Sequence, residues 1–151
     1  MGAELGVSRQ FANYWKAEAS IAYAWGQNTT YDEPLPQIPP LEGRLGLTYE
    51  RDNWSVGALW RLVAAQTRIA ENMGNVVGKD FDKSAGFGVF SVNGTYRFNE
   101  SVRLSLGVDN LFNKEYTEHL NRDGDAGFGF SSNYQLREPG RTFWAKTDFK
   151  F

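Results

Sequence analysis

The sequence predicts an all-β protein, an antiparallel sheet of about seven strands. Segments in which apolar and polar residues alternate recur along the whole chain, and aromatic residues make up 15% of it. No apolar pattern with the period of a helix extends over a comparable length. These observations together indicate β-strands rather than helices.

Each predicted strand has one apolar and one polar face. The segments are residues 3–11, 15–25, 44–50, 54–62, 90–98, 101–109 and 142–151. The sixth has the cleanest alternation, with Val102, Leu104, Leu106 and Val108 opposite Ser101, Arg103, Ser105 and Asp109. One face of the sheet is therefore expected to meet an apolar environment and the other a polar one.

The connections between these segments alternate between short and long. Tight turns are predicted at residues 12–14, 52–53 and 99–100, and long loops at 28–41, 71–86 and 112–140. Short turns on one side and long loops on the other are typical of outer-membrane barrels. The connections thus favour an antiparallel up-and-down transmembrane β-barrel segment.

Aromatic residues near the strand ends also favour a transmembrane barrel. They are Phe11, Trp15, Trp25, Tyr49, Trp54, Phe98, Phe143 and Phe151. Aromatic rings at both ends of membrane strands prefer the depth of the lipid headgroups. A soluble ligand-binding barrel, with its apolar face turned inward, remains an alternative.

The final strand has an apolar residue at every second position and ends on an aromatic. Phe143, Phe149 and Phe151 are interpreted as the signal of a barrel-closing C-terminal strand. We expect this strand to be read by the barrel-assembly machinery and to lie against outer-membrane lipid. If Phe151 is periplasmic, the long loops lie outside the cell.

The strand count predicts that the chain is a fragment. Single-chain bacterial barrels have even numbers of strands, whereas seven are predicted here and no signal peptide is seen. Strands are therefore expected upstream. A complete small outer-membrane barrel with a structural or adhesive role is the alternative.

Several functional classes find no support in the sequence. The chain has no cysteine and one histidine, and its net charge is −2, which argues against thiolate metal sites and a nucleic-acid partner. It has no apolar run of 18 residues. No phosphate loop, Gly-x-Ser-x-Gly motif or metalloprotease helix is present, so we expect no enzyme.

The segment after the sixth strand resembles a motif of TonB-dependent receptors. Residues 108–116 read VDNLFNKEY and are similar to the motif that ends the penultimate strand of that family. Leu35-Pro36-Gln37-Ile38-Pro39-Pro40, and Glu138-Pro139-Gly140-Arg141 before the final strand, are also similar to the family's pattern. The chain is identified as a C-terminal barrel segment of a TonB-dependent receptor over residues 1–151.

Within this family, the TonB-dependent copper receptors are the most similar group. Residues 118–122 (EHLNR), 127–130 (GFGF), 77–81 and 84–88 carry that resemblance. It implies a 22-stranded outer-membrane barrel of a Gram-negative bacterium, with an upstream plug domain and a TonB complex as partners. It also implies copper, or a copper complex, as transported substrate, with no cofactor in this segment and the thiol and thioether ligands elsewhere.

Four candidate sites follow from the residues. His119 is a possible copper ligand, although a role in loop packing is the stronger expectation. Glu118, Asp123 and Asp125 are possible ligands of a hard cation, with a solvated turn as the simpler interpretation.

The other two candidates are structural. Asn110, Leu111, Phe112, Asn113 and Tyr116 form the receptor-like motif, whose Asn side chains are expected to bond local backbone. A set of charged residues on the polar face could pair across strands inside the lumen and contact a plug, or could simply be solvated in the lumen, and we expect a mixture of the two: Arg44, Arg61, Arg97, Arg103, Glu18, Glu50 and Asp148.

Overall fold

The computed structural model of the chain describes residues 1–71, 73–75, 78–121 and 135–150. Seven long strands form one antiparallel sheet in chain order. They are β1 (Gly2–Phe11), β2 (Trp15–Ala24), β5 (Glu42–Arg51), β6 (Trp54–Val63), β9 (Phe87–Arg97), β10 (Val102–Asp109) and β11 (Thr142–Phe149). This confirms the predicted fold class, strand number and positions.

Two small hairpins were not predicted. β3 (Gln27–Asn28) pairs with β4 (Glu33–Pro34), and β7 (Gly74–Asn75) pairs with β8 (Gly78–Lys79). Both lie inside long connections. Strands of two residues are too short to leave a two-residue period in the sequence.

The connections differ in length at the two ends of the sheet, as predicted. Residues 12–14, 52–53 and 98–101 form short turns. Residues 25–41, 64–86 and 110–141 are here called the first, second and third long loops. All three long loops leave the same end of the sheet because every strand pair is antiparallel.

The apolar face of the sheet is exposed. Leu5, Leu45, Trp60, Leu106 and Phe143 are between 47% and 73% exposed, and the register places such residues beside one another across the sheet. So large an apolar surface requires an apolar environment around the protein. Among the described residues there is no helix long and apolar enough to cross a membrane.

The small buried core lies on the opposite, polar face. Val63, Phe87 and Val89 form a buried cluster at the long-loop end, with Tyr116 packed against it. By strand alternation these side chains share a face with Arg61 and Ser91. The third long loop therefore folds over the polar face.

Candidate outer-loop site

Asp80 joins the first and second long loops. Its side chain is 1% exposed, and its two carboxylate oxygens accept hydrogen bonds from the amides of Gln37 (2.7 Å) and Ala70 (2.9 Å). Its own amide donates to the carbonyl of Met73 (2.9 Å). A buried carboxylate needs such donors to offset the loss of water, so Asp80 holds two loops in one arrangement.

His119 brings the third long loop to the same place. It is 4% exposed, with Nδ1 3.1 Å from Ser84 Oγ and Nε2 3.5 Å from Asp80 Oδ1. Nδ1 lies within hydrogen-bond distance of the Ser84 hydroxyl, whereas Nε2 has no hydrogen-bond partner among the described residues and only faces the Asp80 carboxylate. Burial lowers the pKa of His119, and the carboxylate of Asp80 opposes that shift.

This environment bears on the proposed metal role of His119. Both ring nitrogens face protein atoms. Within the part of the chain that the structure describes, no three His, Cys, Asp or Glu residues are grouped to hold a metal ion. Copper ligation by His119 stays a prediction, and its contacts are those of a loop-packing residue.

Arg61 connects the third long loop to the sheet. It donates to Glu42 Oε2 (2.7 Å) and to both carboxylate oxygens of Glu118, at 3.1 Å for Oε2. Its guanidinium also lies over the ring of Phe87, 5.4 Å from the centroid. All three ionic side chains are about four-fifths buried, so Glu118 pairs with Arg61 rather than standing free for a cation. The other two predicted carboxylates, Asp123 and Asp125, lie outside the described residues.

The receptor-like motif follows β10 directly. Asn110 is 3% exposed and has a φ of 51°. Its Oδ1 accepts from the amide of Lys114 and its Nδ2 donates to the carbonyl of Lys114, both at 2.8 Å. Asn113 (φ 53°) accepts from the amide of Arg141 at 2.9 Å. The two asparagines satisfy backbone groups where pairing ends.

The apolar members of the motif divide between the two faces. Tyr116 packs on Phe87 with ring centroids 4.3 Å apart, whereas Phe112 is exposed and stacks on Phe90 at 5.8 Å. The Leu111 amide donates to the Phe90 carbonyl (2.7 Å). A structural role for Asn110, Leu111, Phe112, Asn113 and Tyr116 stays a prediction, which these contacts favour.

The predicted charge pairs on the polar face are mostly found along single strands. Lys16–Glu18 (2.9 Å), Arg44–Glu42 (2.6 Å) and Lys146–Asp148 (2.8 Å) each join residues two apart. Arg61–Glu42 is the cross-strand pair among the described residues. Arg97 lies directly opposite Arg103 and donates to the carbonyl of Asp52. Glu50 faces Ser55.

Phe143 and Phe149 of the predicted barrel-closing signal lie on the exposed apolar face of β11, at 73% and 63% exposure. Phe151 lies outside the described residues. The closing role stays a prediction.

A family model for the TonB-dependent receptor-like β-barrel matches residues 1–111. The chain belongs to the TonB-dependent receptor-like β-barrel family. The model ends at the receptor-like motif and takes in β1 to β10. The family is one of receptors and transporters, and it occurs in the outer membrane of Gram-negative bacteria.

Similar proteins are known in sequence and structure. The chain is 67% identical to the copper transporter OprC, with a TM-score of 0.95. The match covers 99% of this chain and 23% of the OprC chain. It is 33% identical over 76 residues to the ferric enterobactin receptor of Pseudomonas aeruginosa, covering 50% of this chain and 10% of the receptor. A mutant of that organism's ferric enterobactin receptor PfeA, in complex with enterobactin, gives 26% identity, a TM-score of 0.74 and coverages of 99% and 22%. The chain thus spans a quarter or less of these relatives.

Proposed function

We propose that residues 1–151 form the C-terminal part of the barrel wall of a TonB-dependent outer-membrane receptor that takes up copper, as the ion or in a complex. The observation that supports it most is the 67% identity and TM-score of 0.95 to the copper transporter OprC over 99% of the chain. Identity to a ferric enterobactin receptor is much lower, at 33% over half the chain. Copper is therefore favoured over a ferric siderophore.

The part of this segment in transport is the support of the outer loops. The seven long strands give a wall with an exposed apolar face. Asp80, His119 and Arg61 connect the three long loops to one another and to the sheet. In the receptor this arrangement would shape the outer end of the lumen. Copper is the transported substrate in this proposal, and the segment needs no resident cofactor.

The proposal includes partners beyond this chain. A plug domain and the TonB complex would act with the full-length receptor, and the barrel-assembly machinery would recognise its closing strand. The exposed apolar face favours contact with outer-membrane lipid. It also favours a receptor wall over a soluble barrel. The match to large receptors favours a wall segment over a complete small barrel.

Complementation with the full-length gene tests the substrate. Copper-limited cells that lack the gene should regain growth and cell-associated copper when it is returned, and should gain no growth in iron-limited medium with ferric enterobactin as the iron source. An unchanged copper content, with restored growth on ferric enterobactin, would contradict the copper assignment and identify a siderophore receptor instead. Cell copper, measured by mass spectrometry, decides between them.

A further inference from the structure

The short-turn end of the apolar face carries a cluster of four touching aromatic rings. Ring centroids are 5.9 Å apart for Tyr14–Tyr49, 4.9 Å for Trp15–Tyr49 and 5.4 Å for Tyr49–Trp54. Tyr and Trp in such belts lie at the depth of lipid headgroups. This cluster therefore marks the level at which lipid phosphates would meet the protein.

Arg51 lies at this level, next to Asp52 along the chain, whose carboxylate attracts it from beyond ion-pair distance. Its guanidinium carbon is 4.4 Å from the centroid of the Tyr14 ring, and Nη1 donates to the Tyr49 hydroxyl at 3.4 Å. No carboxylate of the described residues lies within ion-pair distance of it. Alternation along β5 puts Arg51 on the apolar face with Leu47 and Tyr49. A guanidinium that two tyrosines hold at the headgroup depth of a lipid-facing surface is placed to attract an anionic headgroup.

A shallow apolar groove of about 900 Å³ starts beside this cluster. It begins at Trp15, passes over the small residues Ala58, Gly94 and Ala145, and reaches Leu106 and Phe143. Its lining also includes Leu47, Val56 and Val92. The Trp15 ring thus belongs both to the groove and to the aromatic cluster that holds Arg51.

The strand register sets the direction of the groove. The successive cross-strand partners are Trp15, Tyr49, Val56, Gly94, Leu106 and Ala145. From β2 to β11 this row covers about 24 Å at roughly 4.8 Å per strand. With strands tilted by about 40°, the groove rises about 15 Å, which is half of the roughly 30 Å hydrocarbon core. It therefore extends from the headgroup level through one leaflet.

We propose that Arg51, Tyr49 and this groove bind an anionic phospholipid of the periplasmic leaflet. Its phosphate contacts the Arg51 guanidinium, and one acyl chain lies in the groove from Trp15 towards Phe143. The proposal rests on the outer-membrane location in the proposed function but not on copper as the substrate.

The test uses the full-length receptor purified in detergent. Native mass spectrometry measures how much phosphatidylglycerol, and phosphatidylcholine with the same acyl chains, each variant retains. Arg51→Gln removes the charge, and Ala58→Leu fills the groove. Arg9→Gln and Ala19→Leu are the matched controls, since both residues share the apolar face by alternation and lie outside the groove. A difference in SDS-gel mobility between unheated and boiled samples shows that each variant is folded.

We expect the parent receptor to retain phosphatidylglycerol about tenfold better than phosphatidylcholine. Both lipids have a phosphate, but the choline cation of phosphatidylcholine offsets its negative charge and so weakens its attraction to Arg51. Arg51→Gln should abolish this preference, Ala58→Leu should lower retention of both lipids, and the controls should behave as the parent. A preference that survives Arg51→Gln, or that Arg9→Gln abolishes equally, would overturn the headgroup site. Retention unchanged by Ala58→Leu would overturn the groove.

Two separate measurements distinguish a failure of the lipid site from a failure of the proposed function as a copper receptor. Cell copper reports the substrate, and fractionation of the full-length protein reports its membrane location. Normal copper uptake without a lipid preference overturns the lipid site alone. A lipid preference without copper uptake overturns the copper assignment alone.

Discussion

Asp80 is a single residue on which two long loops depend. Its carboxylate accepts the amides of Gln37 and Ala70, and a buried amide left without an acceptor costs roughly 1–3 kcal/mol. Asp80→Ala should therefore speed hydrogen exchange at these two amides by about tenfold or more. Mass spectrometry of the full-length receptor after deuterium labelling measures it.

The neighbouring acid gives the control for this experiment. Asp82 is exposed and its carboxylate accepts from the adjacent Lys83 amide at 2.6 Å. Asp82→Ala should leave exchange at Gln37 and Ala70 unchanged. Equal acceleration in both variants would show that Asp80 has no special part in holding the loops.

His119 makes the same cluster sensitive to acid. Burial lowers its pKa below the ordinary value of 6.5, so the unfolded or released imidazole binds a proton at higher pH than the buried one. The stability contributed by the neutral ring is complete above pH 6.5 and is lost as the pH falls below it. Glu118, the adjacent acid, is neutralised by Arg61.

We therefore expect the protection factors of amides in the second and third long loops, which are intrinsic exchange rates divided by the observed ones, to fall between pH 7 and pH 5. His119→Gln keeps a neutral donor and should remove this fall. Hydrogen exchange at matched pH values, corrected for intrinsic rates, provides the measurement. An identical pH response in the variant would contradict the assignment to His119.

Among the larger elements, the third long loop depends on Arg61. Removing its guanidinium leaves the partly buried Glu118 without its cation, whereas Glu42 keeps Arg44. Because these groups are partly exposed, we expect the loss of the Arg61 guanidinium to destabilise the loop by about 1 kcal/mol. Arg61→Leu should make this loop several times more sensitive to limited proteolysis. Arg44→Leu, the control, should not.

β10 and β11 fit together through a glycine. Gly107 lies opposite Trp144, and a Cβ at this glycine would overlap the indole ring. Overpacking of this kind costs about 1–3 kcal/mol of stability. Gly107→Val should therefore lower the temperature at which the band of the folded receptor disappears from an SDS gel. Gly6→Val is the control, since an added Cβ there meets nothing within 4 Å, and it should leave this temperature unchanged. Adding Trp144→Ala to Gly107→Val should restore the temperature.

The strands could be predicted from the sequence because each carries its own evidence. Alternation of residues such as Val102, Leu104 and Leu106 with charged or small neighbours is a local signal, and so are the tight turns. The outer-loop cluster has no local signal. Asp80 and His119 are 39 positions apart, and Arg61 and Glu118 are 57 apart, so only the folded loops bring them together. His119 stood out as the one histidine, but its partners did not.

At the scale of the whole molecule, the two faces of the sheet differ in polarity and in what they contact. The apolar face is exposed along all seven strands, and the polar face carries the ion pairs and the loops. A soluble barrel would bury the apolar face instead. The face of the sheet that meets lipid therefore distinguishes a membrane-spanning wall from a soluble barrel.

Site-directed spin labelling of the full-length receptor in lipid bilayers tests this most directly. Single cysteines replace residues of alternating direction, Leu104→Cys, Ser105→Cys, Leu106→Cys on β10 and Leu45→Cys, Gly46→Cys, Leu47→Cys on β5. Labels at 45, 47, 104 and 106 should be accessible to oxygen dissolved in lipid, and those at 46 and 105 should not. Accessibility without this two-residue period, or with the opposite phase, would contradict a membrane-spanning wall.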